Sequence, residues 1–116
     1  MRREQRLRSR KDFAAAYRSG RVQSNHLLVV RVSANGGSVS RFGFVVGKVV
    51  GGAVVRNRIK RRLREAARTL TVQPGFDIVV GARRAAADAE YASLQHGLRS
   101  LLARSGVLCA DAGERA

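Results

Sequence analysis

The sequence has no tryptophan, one proline, one methionine and one cysteine, and only 8 of its 116 residues are acidic. A lone cysteine, Cys109, forms no internal disulfide and no thiolate zinc site. It reads as a free thiol in a C-terminal tail, in a reducing, cytoplasmic setting. Apolar runs such as Leu27–Val30 are far shorter than the ~20 residues of a membrane span. The basic start, Met1–Arg6, is followed by no apolar stretch, so a secretory signal is not expected. The two histidines, His26 and His96, fall in different predicted elements, and the few carboxylates do not cluster. Neither a catalytic constellation nor a protein-borne metal site is therefore expected. Gly47-Lys48 is followed by Val49 rather than a hydroxyl residue, which excludes the GxxxxGK[ST] phosphate loop.

What is present is positive charge. Lys and Arg number 23, the formal net charge is +15, and lysine occurs only at positions 11, 48 and 60. Hydrophobic residues make up 45%, enough to fill one core. The field of so basic a small domain attracts polyanions, with nucleic acid ahead of an anionic membrane surface. Arginine strengthens the nucleic-acid reading, because its planar fork grips phosphate with two hydrogen bonds and stacks on bases.

Along the chain the pattern predicts a single domain over residues 1–116, ordered from about 5 to 104, with a fraying tail. A first helix is predicted over Ser9–Ser19, with Ser9 and Asp12 as a capping box and Gly20 as its stop. Phe13 and Tyr17, four apart, share one face of it. A strand follows over Val22–Ser33, then an Asn35-Gly36-Gly37-Ser38 turn and a second strand over Ser40–Val46, together read as a hairpin. Gln73-Pro74-Gly75 marks another turn, Phe76–Ala82 a buried strand, and Asp88–Arg104 a final helix with Leu94, Leu98, Leu101 and Leu102 on its core stripe. The order helix-strand-strand-helix-strand-helix describes an α+β sandwich, with helices packed on a small mixed β-sheet.

The most informative segment is Ala53–Leu70, where Val55, Ile59, Leu63, Ala66, Ala67 and Leu70 fall on one helical arc. Asn57, Lys60, Arg61, Arg64 and Arg68 lie opposite that arc, and Arg58 and Arg62 flank it. Between Arg56 and Arg68 there are seven basic residues and one acidic residue, Glu65. Like charges four apart, such as Lys60 and Arg64, disfavour a helix by a few tenths of a kcal/mol per pair. Solvated helices ordinarily balance their charges with Glu and Asp, so the ridge points to phosphate binding. Membrane insertion is disfavoured, because no exposed aromatic or long aliphatic residues accompany the charges. Asn57 suits a base edge, a 2′-hydroxyl or a local backbone group equally. Phe13 and Tyr17 suit either the core or a stacking platform for single-stranded bases, with Arg10, Lys11, Arg31 and Arg41 placed to meet phosphates.

The stretch Arg41-Phe42-Gly43 through Lys48, Ala53-Val54-Val55-Arg56-Asn57-Arg58, Lys60-Arg61 and Arg64-Glu65 resembles the bacterial ribonuclease P protein component. The similarity extends from about residue 5 to 104, and includes Asp12-Phe13, Tyr17 and Gly20 at the front and Gly75–Val80 later. Val49 stands where the family carries the second lysine of a pair. Gly47 replaces a serine, and Gly52 a frequent asparagine. The resemblance implies a β-α-β crossover of left-handed sense, against the general preference for the right hand. It implies the small subunit of a ribonucleoprotein endonuclease whose catalytic RNA, with its Mg²⁺ ions, removes the 5′ leader of precursor tRNA. The protein would hold no metal, need no protein partner and bind no membrane. Arg56, Asn57, Arg58, Lys60, Arg61, Arg62, Arg64 and Arg68, with Lys48, would bind the catalytic RNA. A cleft of Phe13, Tyr17, Arg10, Lys11, Arg31 and Arg41 would hold the single-stranded leader. A general structured-RNA binder, such as a ribosomal protein or RNA chaperone, shares the charge but needs no leader cleft. An RNA-cleaving protein acting alone lacks a catalytic cluster.

Overall fold

A computed structural model describes residues 5–7, 11, 14 and 20–109. Of the predicted first helix, Lys11 and Ala14 are helical, while Arg10, Phe13 and Tyr17 lie outside the described residues. The strand expected over Val22–Ser33 is two strands, β1 (Arg21–Ser24) and β2 (Leu28–Ala34), paired antiparallel. Asn25 separates them. Its Oδ1 accepts from the Leu27 N–H at 2.9 Å and the Leu28 N–H at 2.8 Å, and its own N–H donates to the Leu28 carbonyl at 3.0 Å. An asparagine that satisfies the backbone just ahead of it turns the chain instead of extending it.

β3 (Arg41–Val45) and β4 (Phe76–Ala82) complete a four-stranded sheet in the order β1-β2-β4-β3. The expected hairpin between β2 and β3 does not form. β4 lies between them, antiparallel to β2 and parallel to β3. The reason is legible in β4 itself: Asp77 to Val80 are all buried, and a strand apolar on both faces belongs in the sheet interior. Asn35 still makes a turn, accepting from the Gly37 N–H at 2.7 Å, but the turn crosses the end of β4. The Asn35 N–H donates to the Gly75 carbonyl at 2.8 Å. Gly75 has φ +90°, and a Cβ there would stand 3.1 Å from the Gly37 carbonyl oxygen, so only glycine fits.

Two helices cover one face of the sheet: α1 (Ala53–Arg68) and α2 (Tyr91–Arg104), with a 3₁₀ turn at Arg84–Asp88 before α2. The last helix therefore begins at Tyr91 rather than Asp88, because Ala89 and Glu90 are extended. Ile59, Leu63, Ala66 and Ala67 of α1 are buried, as are Leu94, Leu98, Leu101 and Leu102 of α2. They join Leu28, Val30, Val32, Phe42, Ile78 and Val80 of the sheet in one core. α1 links the adjacent parallel strands β3 and β4 as a crossover. Order also continues past Arg104. Val107 is fully buried, Val72 pairs with Leu108, and the Cys109 N–H donates to the Thr71 carbonyl at 2.8 Å. Cys109 is thus half-buried and tied down rather than part of a loose tail.

Leu63→Ala should lower unfolding free energy by about 3 kcal/mol in urea denaturation, as a fully buried leucine leaves a cavity. Val54→Ala, at a residue 79% exposed, should change it by less than about 0.5 kcal/mol.

Candidate nucleic-acid interface

The basic residues of α1, together with Asn57, sort into three rows. Asn57, Arg61 and Arg68 are exposed on the outer side. Arg56, Lys60 and Arg64 run half-buried along one flank, and Arg58 and Arg62 along the other. The Arg58 Nη2 donates to the Ala87 carbonyl at 3.4 Å, and the Arg62 Nη1 to the Ala89 carbonyl at 3.2 Å. Both residues therefore also tie α1 to the segment leading into α2. Among the described residues their partners are carbonyl oxygens, which leave the charges uncompensated. Glu65, the lone acid of the helix, pairs with Arg68 at 2.8 Å with both side chains more than half exposed. Such a surface pair contributes about 0–1 kcal/mol and is readily exchanged. The Nε atoms of Arg56 and Arg58 are buried without a hydrogen-bond partner among the described residues, which raises the free energy of the unbound surface.

The start of α1 adds to this field. Gly52 is the N-cap with no side-chain cap, and the first turn carries no acid. The positive end of the helix therefore has no carboxylate in its own first turn to oppose it. Lys48 is exposed on the turn that delivers the chain to α1, closed by Val50 N–H to the Gly47 carbonyl at 3.1 Å.

A second surface lies on the sheet face away from α1 and α2. Register puts Arg31 opposite Val79, and Arg41 opposite Asp77, two residues earlier on β4. Arg31 and Arg41 thus share this face. Leu7 packs on Val79 there, and its N–H donates to the Phe42 carbonyl at 2.8 Å. Lys11 is exposed and helical. Arg10, Phe13 and Tyr17, predicted to complete the cleft, are outside the described residues.

Arg41 has a role that sequence reading missed. Its Nε donates to Asp77 Oδ1 at 2.9 Å and its Nη2 to Oδ2 at 2.8 Å. Asn35 Nδ2 also donates to Oδ1, at 2.9 Å. The Asp77 side chain is 8% exposed, so this fork balances a buried carboxylate and joins β3 to β4. The signal was available: an aspartate inside Phe76–Val80 needs a cationic partner if that run is buried. The structure also brings His26 and His96 to one 660 Å³ cavity, which Asp88 and Ser93 border as well. The turn at Asn25 and the fold of α2 produce that meeting, and no spacing in the sequence announces it. Among the described residues, no group of three or more His, Cys, Asp or Glu gathers to hold a metal. No helix among them is long and apolar enough to cross a membrane.

The arrangement is that of an α+β RNA-binding domain, with a cationic helix mounted on one face of a mixed sheet. The family described as Ribonuclease P matches residues 1–106. The ribonuclease P protein component of Symbiobacterium thermophilum is 44% identical over 111 residues, covering 93% of this chain and 96% of that protein. That of Streptomyces avermitilis is 46% identical over 112 residues, covering 87% and 91%. The solved structure of the Staphylococcus aureus RNase P protein superposes with a TM-score of 0.82 at 31% identity, covering 90% of this chain and 98% of that one. The Thermotoga maritima RNase P protein gives 0.78 at 35%, covering 85% and 96%. The chain belongs to the ribonuclease P protein family, the RNA-binding protein component of a tRNA-processing ribonuclease.

Arg41→Ala and Asp77→Ala should each lower stability by about 2 kcal/mol, since each strands a partly buried charge. The double variant should lose clearly less than the sum, measured as a coupling energy in a denaturation cycle.

Proposed function

We propose that this protein acts through two surfaces and performs no bond-breaking itself. The helix α1, with Arg56, Asn57, Arg58, Lys60, Arg61, Arg62, Arg64 and Arg68, and Lys48 beside it, docks on a large catalytic RNA. The sheet face with Arg31 and Arg41, together with Arg10, Lys11, Phe13 and Tyr17, receives the single-stranded 5′ leader of precursor tRNA. The observation that carries this reading is the cationic ridge of α1, whose seven basic residues meet a single carboxylate. A rigid row of guanidiniums matches the phosphates of a folded RNA, which proteins recognise by shape and backbone. A flexible leader asks instead for stacking surfaces and cations with little base readout.

Cleavage belongs to the RNA in this proposal, and Mg²⁺ is held mainly by that RNA. The work of the protein is positional: α1 fixes it on the ribozyme, and the sheet face keeps the leader extended. The compartment proposed is the cytoplasm, with no protein partner and no membrane.

Reconstitution with the cognate catalytic RNA tests this directly. Adding the protein at low Mg²⁺ should raise precursor tRNA cleavage, and no enhancement across a salt and Mg²⁺ titration would overturn the proposal. Arg61→Ala should weaken assembly with the RNA and reduce the slope of log K against log salt by about 1, as one phosphate contact is lost. Tyr17→Ala should leave assembly intact and narrow the preference for precursor over mature tRNA. Equal affinity for precursor and mature tRNA in the wild-type complex would instead favour a general structured-RNA binder.

A further inference from the structure

Acidic residues are not spread evenly around α1. Four lie among the described residues: Glu65, Asp77, Asp88 and Glu90. Asp77 is buried and held by Arg41. The other three are exposed, and all lie towards one flank of the helix. At 3.6 residues per turn, Glu65 falls between the outer row and the flank of Arg58 and Arg62. Arg58 holds the Ala87 carbonyl and Arg62 the Ala89 carbonyl, and Asp88 and Glu90 are the residues that follow each of those alanines. Each acidic Cα therefore stands about 3.8 Å from that of a gripped residue. That is well inside the ~8 Å over which charges act on each other at physiological salt. Among the described residues, neither the Asp88 nor the Glu90 carboxylate has a hydrogen-bond or ion-pair partner.

The opposite flank differs in both respects. The side chains of Arg56, Lys60 and Arg64 make no hydrogen bond or ion pair to any described residue. No acidic residue stands three or four places from any of them, the spacing at which helix side chains meet. A phosphate approaching from this side finds cations with free donors. From the other side it finds guanidiniums already donating to backbone carbonyls, with carboxylates beside them. Such an asymmetry of attraction and repulsion fixes how a charged partner is oriented and suppresses wrong partners.

We infer that α1 meets the catalytic RNA from one side only. The outer row and the flank of Arg56, Lys60 and Arg64 contact phosphates. Arg58 and Arg62 are positioning residues that brace the helix on the segment before α2, and Asp88 and Glu90, with Glu65, form an acidic margin that turns RNA away. Asp88 and Glu90 are thereby specificity-determining residues. This rests on the proposal that α1 docks on that RNA, and deepens it by fixing which side of the helix faces it.

The test measures binding of the full chain to its cognate catalytic RNA, and to an unrelated folded RNA of the same length, across a salt titration. Arg64→Ala should lower the slope of log K against log salt by about 1, as one phosphate contact goes. Arg62→Ala should weaken cognate binding about threefold, the size of one lost hydrogen bond, yet keep the wild-type slope. Arg62→Lys, which retains a donor for the Ala89 carbonyl, should recover the lost affinity. The double variant Asp88→Asn/Glu90→Gln should bind the unrelated RNA about fivefold more tightly, the size of two exposed charge contacts, and gain less on the cognate RNA. Its thermal unfolding should match wild type, because both residues are exposed. If Arg62→Ala lowers the slope as much as Arg64→Ala does, RNA covers both flanks and one-sided docking is overturned, while α1 remains the docking surface. An unchanged preference for cognate RNA in the acidic double variant likewise overturns the margin, and it decides alone should Arg62→Ala fail to fold. If Arg61→Ala and Arg64→Ala leave both slope and affinity at wild-type values, α1 is not the docking surface and the two readings fall together.

Discussion

A strand that is apolar on both faces has to be covered on both faces, and that constraint on β4 shapes the rest of the molecule. Its burial forces β2 and β3 apart, makes the chain carry α1 across the sheet between β3 and β4, and leaves the cationic helix and the face of Arg31 and Arg41 on opposite sides of the sheet. Asp77 shows how tightly this insertion is fixed. Its carboxylate is gripped by Arg41 from β3 and by Asn35 from the loop that leaves β2. The Ser40 hydroxyl adds a second tie, accepting from the Phe76 N–H at 3.0 Å and donating to the Gln73 carbonyl. A charged group at the meeting point of three segments selects one register, because any slip strands the carboxylate in the core.

The same insertion explains why α1 is stiff enough to present its charges. Four of its residues are locked into the core, and the flanking arginines reach the carbonyls of Ala87 and Ala89. Repulsion along the ridge would fray an isolated helix of this composition. Here tertiary burial holds the helix against that repulsion, so the ridge keeps its shape with no polyanion bound. A preformed cationic surface loses less ordering entropy on binding than one that must fold at that moment.

Sequence reading succeeded where one periodicity governed the outcome. The helix at Ala53–Arg68 was legible almost to the residue, because Ile59, Leu63, Ala66 and Ala67 repeat at helical spacing and Gly51-Gly52 precede them. The α+β class and the buried strand Phe76–Ala82 followed from the same kind of signal. It failed where pairing was decided at long range. A glycine-rich turn between two strands suggests a hairpin, and nothing local in Asn35–Ser38 says that a strand forty residues later takes the place between them. The split at Asn25 was missed because an asparagine between Ser24 and His26 reads as polar strand edge until its side chain is seen to hold the next two amides. Of the two surfaces, the ridge was visible as composition and spacing. Arg31 and Arg41 were both picked out, but their shared face, and the engagement of Arg41 with Asp77, depend on register.

The clasp between Thr71–Gln73 and Val107–Cys109 has a practical side. It anchors the sole thiol of the protein to a residue two positions beyond the C-cap of α1, Thr69. A dye or spin label attached at Cys109 therefore needs no other cysteine removed, and it rides on fixed backbone close to the end of the charged rod. Spectroscopic rulers laid from that point to labelled nucleotides would orient the rod on whatever it grips.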